Sequence, residues 1–313
     1  MLRAAAFIAT AMVAGTASPA SAEPSCKVPP GWSTIVQTEA KYIVFGELHG
    51  TSQSPAMVGN IACALAGKGE SVLVAVEMEA SANDALQRVW QDAGQDFQDR
   101  LISDMPGWRG RDDGVASQAL LGMLSMLHDR YRAGARLRVV AFNGMHDDRQ
   151  RRRLAHLPVH GPHEAAQAEN ILNAAQAAPY DHVLILVGSM HARRIPVSWA
   201  GTSYRPMRMH LPSDTVSLRM TYSGGDAWNC QVSGQHSAGE PIAESDIDCG
   251  PHPVRGDWHA EGVPRISLGA LPKGRFDLTE AFDGQYFVGA ITASTPAAAI
   301  SDEPETESRF GGR

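Results

Sequence analysis

The sequence predicts an α/β protein: a mostly parallel open sheet flanked by helices, followed by a loop-rich, β-containing C-terminal extension. Three observations carry this. Four short apolar runs of five or six residues, rich in Val, Ile, Leu and Phe, recur through the middle of the chain. Segments of helical spacing separate them. The runs do not alternate with polar residues, as expected of strands buried on both faces of a parallel sheet.

The elements follow in order. Lys41–Phe45 is the first strand, bounded by Gly46, and Pro55–Ala66 is a helix that stops at Gly67. Ser71–Val76 is the second strand and Ala82–Trp90 has helical spacing. Val115–Arg132 is a Met- and Leu-rich helix whose Leu120, Leu121, Leu124 and Leu127 suit a core or a lid face. Leu137–Phe142, helix Glu164–Gln176 and strand Val183–Val187 complete a βαβαβαβ order, which argues for an open sandwich. Beyond about residue 195 the pattern weakens. Thr215–Tyr222 and Gln285–Ile291 read as strands, and the Gly-, Pro- and His-rich stretch between them, with His236, His252 and His259, reads as loop. The Ala-, Pro-, Ser- and Glu-rich tail 292–313 is expected to be disordered. Residues 23–291 are read as one domain with a motif-bearing core over 41–195.

Composition narrows the function. Of 313 residues, 43% are apolar and 19% charged, which suits a globular chain, and the formal net charge of −7 gives no electrostatic reason to bind nucleic acid or anionic lipid. Arg3, the small apolar stretch Ala4–Gly15 and Ala20-Ser21-Ala22 read as a signal peptide spanning residues 1–22, so a periplasmic or secreted mature chain is expected. No segment is apolar for long enough to span a membrane. Four cysteines are then expected in an oxidising compartment, where Cys230 pairs most naturally with Cys249 and Cys26 with Cys63.

The chemistry is expected where the strands end. The four runs terminate in Gly46-Glu47-Leu48-His49-Gly50, Glu77-Met78-Glu79, Asn143-Gly144-Met145-His146-Asp147 and Gly188-Ser189-Met190-His191. Parallel strands place these ends on one edge, where open α/β sheets bind ligands. Residues i and i+2 of an extended segment share a face, so Glu47 should face with His49, and Glu77 with Glu79. Carboxylates crowded near imidazoles make either a divalent-metal site, with His49, Glu77 and His191 as ligands, or a metal-free acid/base site. Glu47, His49, Glu77 and His191 are the candidate catalytic residues; Glu79, Asn143 and His146 are candidate cofactor-binding residues. Arg149 and Arg151–Arg153 read as a solvated helix face, with Asp147 and Asp148 as a helix cap. Trp108-Arg109-Gly110-Arg111 is placed to fold over the site. The chain has no G-x-S-x-G, P-loop or G-x-G-x-x-G pattern.

At Phe45-Gly46-Glu47-Leu48-His49-Gly50, Val76-Glu77-Met78-Glu79 and Leu186-Val187-Gly188-Ser189-Met190-His191-Ala192, the chain resembles the ChaN-like haem-binding uptake proteins, which are grouped with erythromycin esterases and Tiki/TraB-type proteins. Residues 41–195 follow that order of elements, and Glu164, Gln167 and Asn170 fall where those proteins have a polar helix before the last motif. The resemblance implies an α/β sandwich with its site at these strand ends. It implies one of two functions: a hydrolase of a small-molecule ester or a peptide bond, metal-dependent or His-dependent, or a haem and iron carrier. For the carrier, Trp108, Met145 and Met190 would line an apolar crevice. The chain departs from the ChaN-like pattern in lacking a lipoprotein cysteine.

Overall fold

The computed structural model describes residues 26–199, 202–233, 242–257, 261–271 and 278–298. The expected signal peptide, His236, His259 and residues 299–313 lie outside them. The elements are α1 (Trp32–Val36), β1 (Tyr42–Glu47), α2 (Gln53–Gly67), β2 (Val72–Glu79), α3 (Asn83–Asp92), α4 (Phe97–Asp104), α5 (Gln118–Arg132), β3 (Leu137–Asn143), α6 (Asp148–Leu154), α7 (Gly161–Gln176) and β4 (His182–Gly188). They continue with β5 (Val197–Trp199), β6 (Thr202–Tyr204), β7 (Val216–Thr221), β8 (Gly225–Val232), β9 (Ile247–Val254), β10 (Arg265–Leu268) and β11 (Gly284–Phe287).

Seven strands form one sheet in the order β10-β11-β7-β1-β4-β2-β3. Only β10 runs antiparallel to its neighbour. The apolar runs alternate between two cores. Ile43, Phe45, Val74 and Leu184 pack with α2, α3 and α5 on the first face. Val44, Ala75 and Ile185 pack with Ala168 and Ile171 of α7 on the second. This double burial is why the runs carry no polar alternation.

The topology fixes where a crevice opens. From β1 to β2 and on to β3 the chain moves outward, with its helices on the first face. It then returns through α7 on the second face to insert β4 between β1 and β2. One crossover handedness accounts for both, because reversing direction puts the connecting helix on the opposite face. At the β1/β4 boundary the chain leaves one strand towards the first face and the other towards the second. That switch point is where the layers part beyond the strand ends.

The C-terminal extension is more regular than the sequence suggests. β7, β11 and β10 join the main sheet rather than forming a separate layer, and β8 pairs with β9 as a hairpin. Both expected disulfides are present: Cys26–Cys63, across 37 residues, and Cys230–Cys249, across 19. Loops of this length restrict the unfolded chain by about 3–4 kcal/mol each, and such bonds fit an oxidising compartment.

The start of the tail departs from expectation. Residues 292–298 are bonded in place: the Ser52 amide donates to the Thr292 carbonyl (3.0 Å), the Gln118 amide to Thr295 (2.8 Å) and the Ala297 amide to Ala116 (2.9 Å). Ser294 Oγ accepts from the Ala119 amide at 2.9 Å, so the segment caps the start of α5. Composition alone pointed to disorder; unsatisfied helix-end donors supply the partners.

The outer edge of the sheet is also closed. Asn83 Oδ1 accepts from the Ala141 amide at 3.0 Å, and Gln87 Nε2 donates to the Val139 carbonyl at 2.7 Å. Two side chains of α3 thus occupy two of the outward ladder groups of β3.

Candidate active site

Three strand ends and one helix build the site. Glu47 closes β1, directly opposite Gly188 of β4. Two residues on, His49 turns back so that its Nδ1–H donates to Glu47 Oε1 at 2.9 Å, as extended i, i+2 geometry requires. The His49 ring lies over Gly188, where a Cβ would stand 2.8 Å from His49 Nε2, so any side chain there would displace the His49 ring. The same glycine donates its N–H to Glu77 Oε2 at 2.6 Å. Glu77 Oε2 also lies 3.3 Å from His49 Nε2, and its other oxygen, Oε1, lies 3.6 Å from His191 Nε2. His191 Nδ1 is held by both oxygens of Glu164 at 2.8 and 2.9 Å, and Glu164 also accepts from the Met207 amide at 2.7 Å.

The result is a continuous alternation, Glu47–His49–Glu77–His191–Glu164, that crosses the sheet edge from the first face to the second. Glu164 has 2% of its side chain exposed and Glu77 10%, whereas His49 and His191 keep 24% and 22%. The carboxylates are therefore the buried frame and the imidazoles its open side.

The electrostatics follow. Burial disfavours a charged His49, but the Glu77 and Glu47 carboxylates outweigh it and hold its pKa well above the ordinary histidine value. Burial opposes a charged His191 too, and its bonds to Glu164 and the charge of Glu77 raise its pKa. Burial would raise the Glu77 pKa, but the two imidazoles and the Gly188 N–H drive it far below the carboxylate range. Beside them, burial lowers the pKa of His163, and the charge on His191 adds to this. The His163 ring sits 5.8 Å from that of His191. Beneath Glu47, the Tyr286 hydroxyl bonds Ser54 Oγ at 2.8 Å; burial, with the Glu47 charge, pushes its pKa well above 10.

Not every expected residue joins the chain. Glu79 is exposed and makes no bond within it. Register between β2 and β3 slips between Val76 and Glu79, a bulge at the end of β2. Asn143 stands behind the site, its Oδ1 accepting from Gln167 Nε2 (2.7 Å), which also contacts His163 Nε2 (3.0 Å). His146 is 44% exposed beside Asp147, away from the cluster, while Asp147 caps α6 through the Gln150 amide at 2.7 Å. Arg149 and Arg151–Arg153 are exposed on α6, as a solvated face should be. Trp108 is 1% exposed within the first core and cannot line a crevice; Met145 and Met190 are partly buried. Glu164 and His163 are the residues the strand-end argument missed. Their signal was a polar stripe at i, i+3 and i+6, Glu164, Gln167 and Asn170, all buried within a helix.

His49, Glu77 and His191 offer suitable atom types for a metal, and Glu47 and Glu164 hold the remote ring nitrogens as outer-sphere carboxylates do at zinc. The two imidazoles, however, address opposite oxygens of Glu77, and the three donor atoms do not all fall within 4.8 Å of one another. The one set that does, among the described residues, is Asp112 with Cys230 and Cys249, whose sulfurs are tied in a disulfide. As arranged, the histidines and Glu77 suit proton transfer better than closure around one ion. Haem fits less well: each exposed imidazole faces a carboxylate rather than an apolar slot.

No protein-family model and no curated protein matches the chain. Three solved structures share its fold. A mutant erythromycin esterase in its open conformation superposes with a TM-score of 0.58 at 12% identity, covering 86% of this chain and 95% of that one. A succinoglycan biosynthesis protein gives 0.55 at 11% identity over 88% and 95%. A Bacillus cereus protein gives 0.52 at 11% identity over 85% and 92%. The match runs across nearly the whole of each, so the fold expected from the strand-end motifs is the one observed.

Proposed function

We propose that the chain is an exported hydrolase that cleaves an ester or amide bond of a small molecule or peptide with His191 as general base. One observation carries this reading: His191 is gripped through Nδ1 by both oxygens of a buried carboxylate, while its Nε2 lies 3.6 Å from the nearest carboxylate, beyond a hydrogen bond. That is the orienter–base arrangement of a hydrolytic dyad: the carboxylate fixes the tautomer and leaves the outer nitrogen to take a proton. His49 differs, held by a carboxylate at each ring nitrogen, and stays charged.

Neutral His191 Nε2 removes a proton from water as the water oxygen bonds the carbonyl carbon. The carbonyl π pair moves to oxygen, and the His49 charge stabilises it. Collapse breaks the bond to the leaving alcohol or amine, which takes the proton from His191. Glu164 stabilises the imidazolium between the two transfers. General-base catalysis of this kind contributes about 10²–10⁴-fold. The signal-peptide pattern and the two disulfides support export.

A panel of aryl esters, lactones and short peptides tests the reading, with His191→Ala as the comparison. Turnover by the wild type that is lost in a folded His191→Ala protein is expected; equal rates would overturn it. Elemental analysis and a haem titration separate the rivals. A stoichiometric divalent metal lost in Glu77→Ala would replace the metal-free form. A saturable Soret shift would replace hydrolysis with haem carriage.

A further inference from the structure

The insertion between β2 and β3 ends against the site. The Gly50 amide, one residue after His49, donates to the Gly114 carbonyl at 3.0 Å, and the Trp228 amide of β8 donates to the Gly50 carbonyl at 2.9 Å. Trp228 Nε1 donates to the Asp112 carbonyl at 3.0 Å. Three backbones meet so closely that a Cβ on Gly50 would stand 1.9 Å from the Trp228 carbonyl oxygen, and one on Gly114 2.7 Å from the Gly50 nitrogen. Both glycines have positive φ, +69° and +86°. The loop 111–114 is therefore clamped, not draped, beside His49.

Arg111 projects from that clamp. Its Nε lies 3.3 and 3.2 Å from the two oxygens of Asp113, its Nη2 donates to the same carboxylate, and Asp113 is itself fixed by the Val115 amide at 3.1 Å. Nη1 makes no hydrogen bond among the described residues, and the side chain is 21% exposed. Glu77 and Glu79 lie within electrostatic reach of the guanidinium. A guanidinium docked along one edge is held rigidly, and its open edge presents donors at no further ordering cost.

We propose that Arg111 is the anion receptor of the site, its open Nη1 edge taking a negatively charged oxygen of the substrate. That oxygen has two sources: the oxyanion that develops on the attacked carbonyl, which rests on the hydrolase reading, or a permanent carboxylate or phosphate on the substrate, which does not. The surrounding carboxylates make the position selective. Their charge repels a free anion unless cations compensate, and Arg111 shares that task with His49, so removing Arg111 should weaken binding there.

Titration of the full, disulfide-intact chain with inorganic phosphate, followed by ³¹P NMR, tests it without any need for turnover. Saturable binding is expected for the wild type and for Arg152→Met on the exposed face of α6. It should weaken at least tenfold in Arg111→Met, and less in Arg111→Lys, which keeps the charge but not the fork. Thermal unfolding of each variant checks the fold; should Arg111→Met unfold, the Lys variant carries the comparison. No phosphate binding by the wild type, or equal binding by the Arg111 variants, would overturn the receptor. If phosphate binds through Arg111 but no ester or amide turns over, the hydrolase reading fails and the receptor stands. Where turnover is found, a fall in kcat at constant KM assigns the developing oxyanion, and a rise in KM at constant kcat assigns a permanent group.

Discussion

The two histidines occupy the ends of adjacent strands and share one carboxylate, yet their surroundings differ. On the first-face flank, His49 is held at one ring nitrogen by Glu47 (2.9 Å) and faces Glu77 with the other (3.3 Å). On the second-face flank, His191 is held firmly by Glu164 alone, and Glu77 stands off at 3.6 Å. The difference teaches how one constellation can supply both a fixed charge and a base. A histidine between two anions is pinned in its charged form, whereas one anchored on a single side keeps a nitrogen for a proton in transit.

Removing either histidine should give the largest effect and break the comparison outright. His191→Ala should cost roughly 10²–10⁴ in kcat/KM, the span of a lost general base. His49→Asn should also lower turnover, through loss of transition-state charge stabilisation. The sharper measurement is the pH profile. Because the His191 pKa is raised, turnover should climb with pH beyond the ordinary histidine range. Glu164→Gln removes the main cause of that rise and should move the limb to lower pH. His49→Asn removes a nearby positive charge that pushes the His191 pKa down, and should move the limb higher. Shifts in the same direction would show that the two flanks are not distinct.

Stability should run against activity. The folded-state pKa values of both histidines lie above their unfolded values, so their contribution is complete below the ordinary histidine range. It is lost as pH rises through the raised values. Glu77 is depressed; its contribution is present above the ordinary carboxylate range and lost as pH falls through its low folded value. Wild-type Tm should therefore fall on the alkaline side where turnover still rises, and His49→Asn should flatten that fall. Smaller effects concern the support. Gly50→Ala places a side chain in left-handed backbone, a strain of about 1–3 kcal/mol before any clash, and should lower Tm. Arg152→Met, on the solvated face of α6, should change stability by no more than about 0.5 kcal/mol.

Much of this architecture is legible in the sequence because burial on both faces leaves a plain signature. The four apolar runs lie within β1 to β4, give or take a residue or two at each end, and their shared edge brings Glu47, His49, Glu77 and His191 together. Legibility stops where regular geometry stops. Glu79, at the bulged end of β2, stays exposed and outside the Glu/His chain, which strand alternation alone cannot anticipate. Glu164 comes from a helix on the second face, so an argument confined to strand ends passes over it. The β8–β9 hairpin has only two buried positions, Ala227 and Gly250, and two prolines, Pro251 and Pro253, with no apolar period. A disulfide and backbone bonds to Gly50 and Ile291 hold it, and neither leaves a local pattern.

The side chains that close the outer edge of the sheet have a consequence for the chain in company. An open edge strand is a template on which another copy can lay a strand and begin to aggregate. On β3, the Val139 carbonyl and Ala141 amide are already engaged by Gln87 and Asn83 of α3, so a neighbour would have to strip them away first. Asn83→Ala would free the Ala141 amide while leaving the Glu/His chain untouched. At high concentration its first symptom should be turbidity rather than loss of chemistry: the same helix that follows β2 also keeps the sheet from growing.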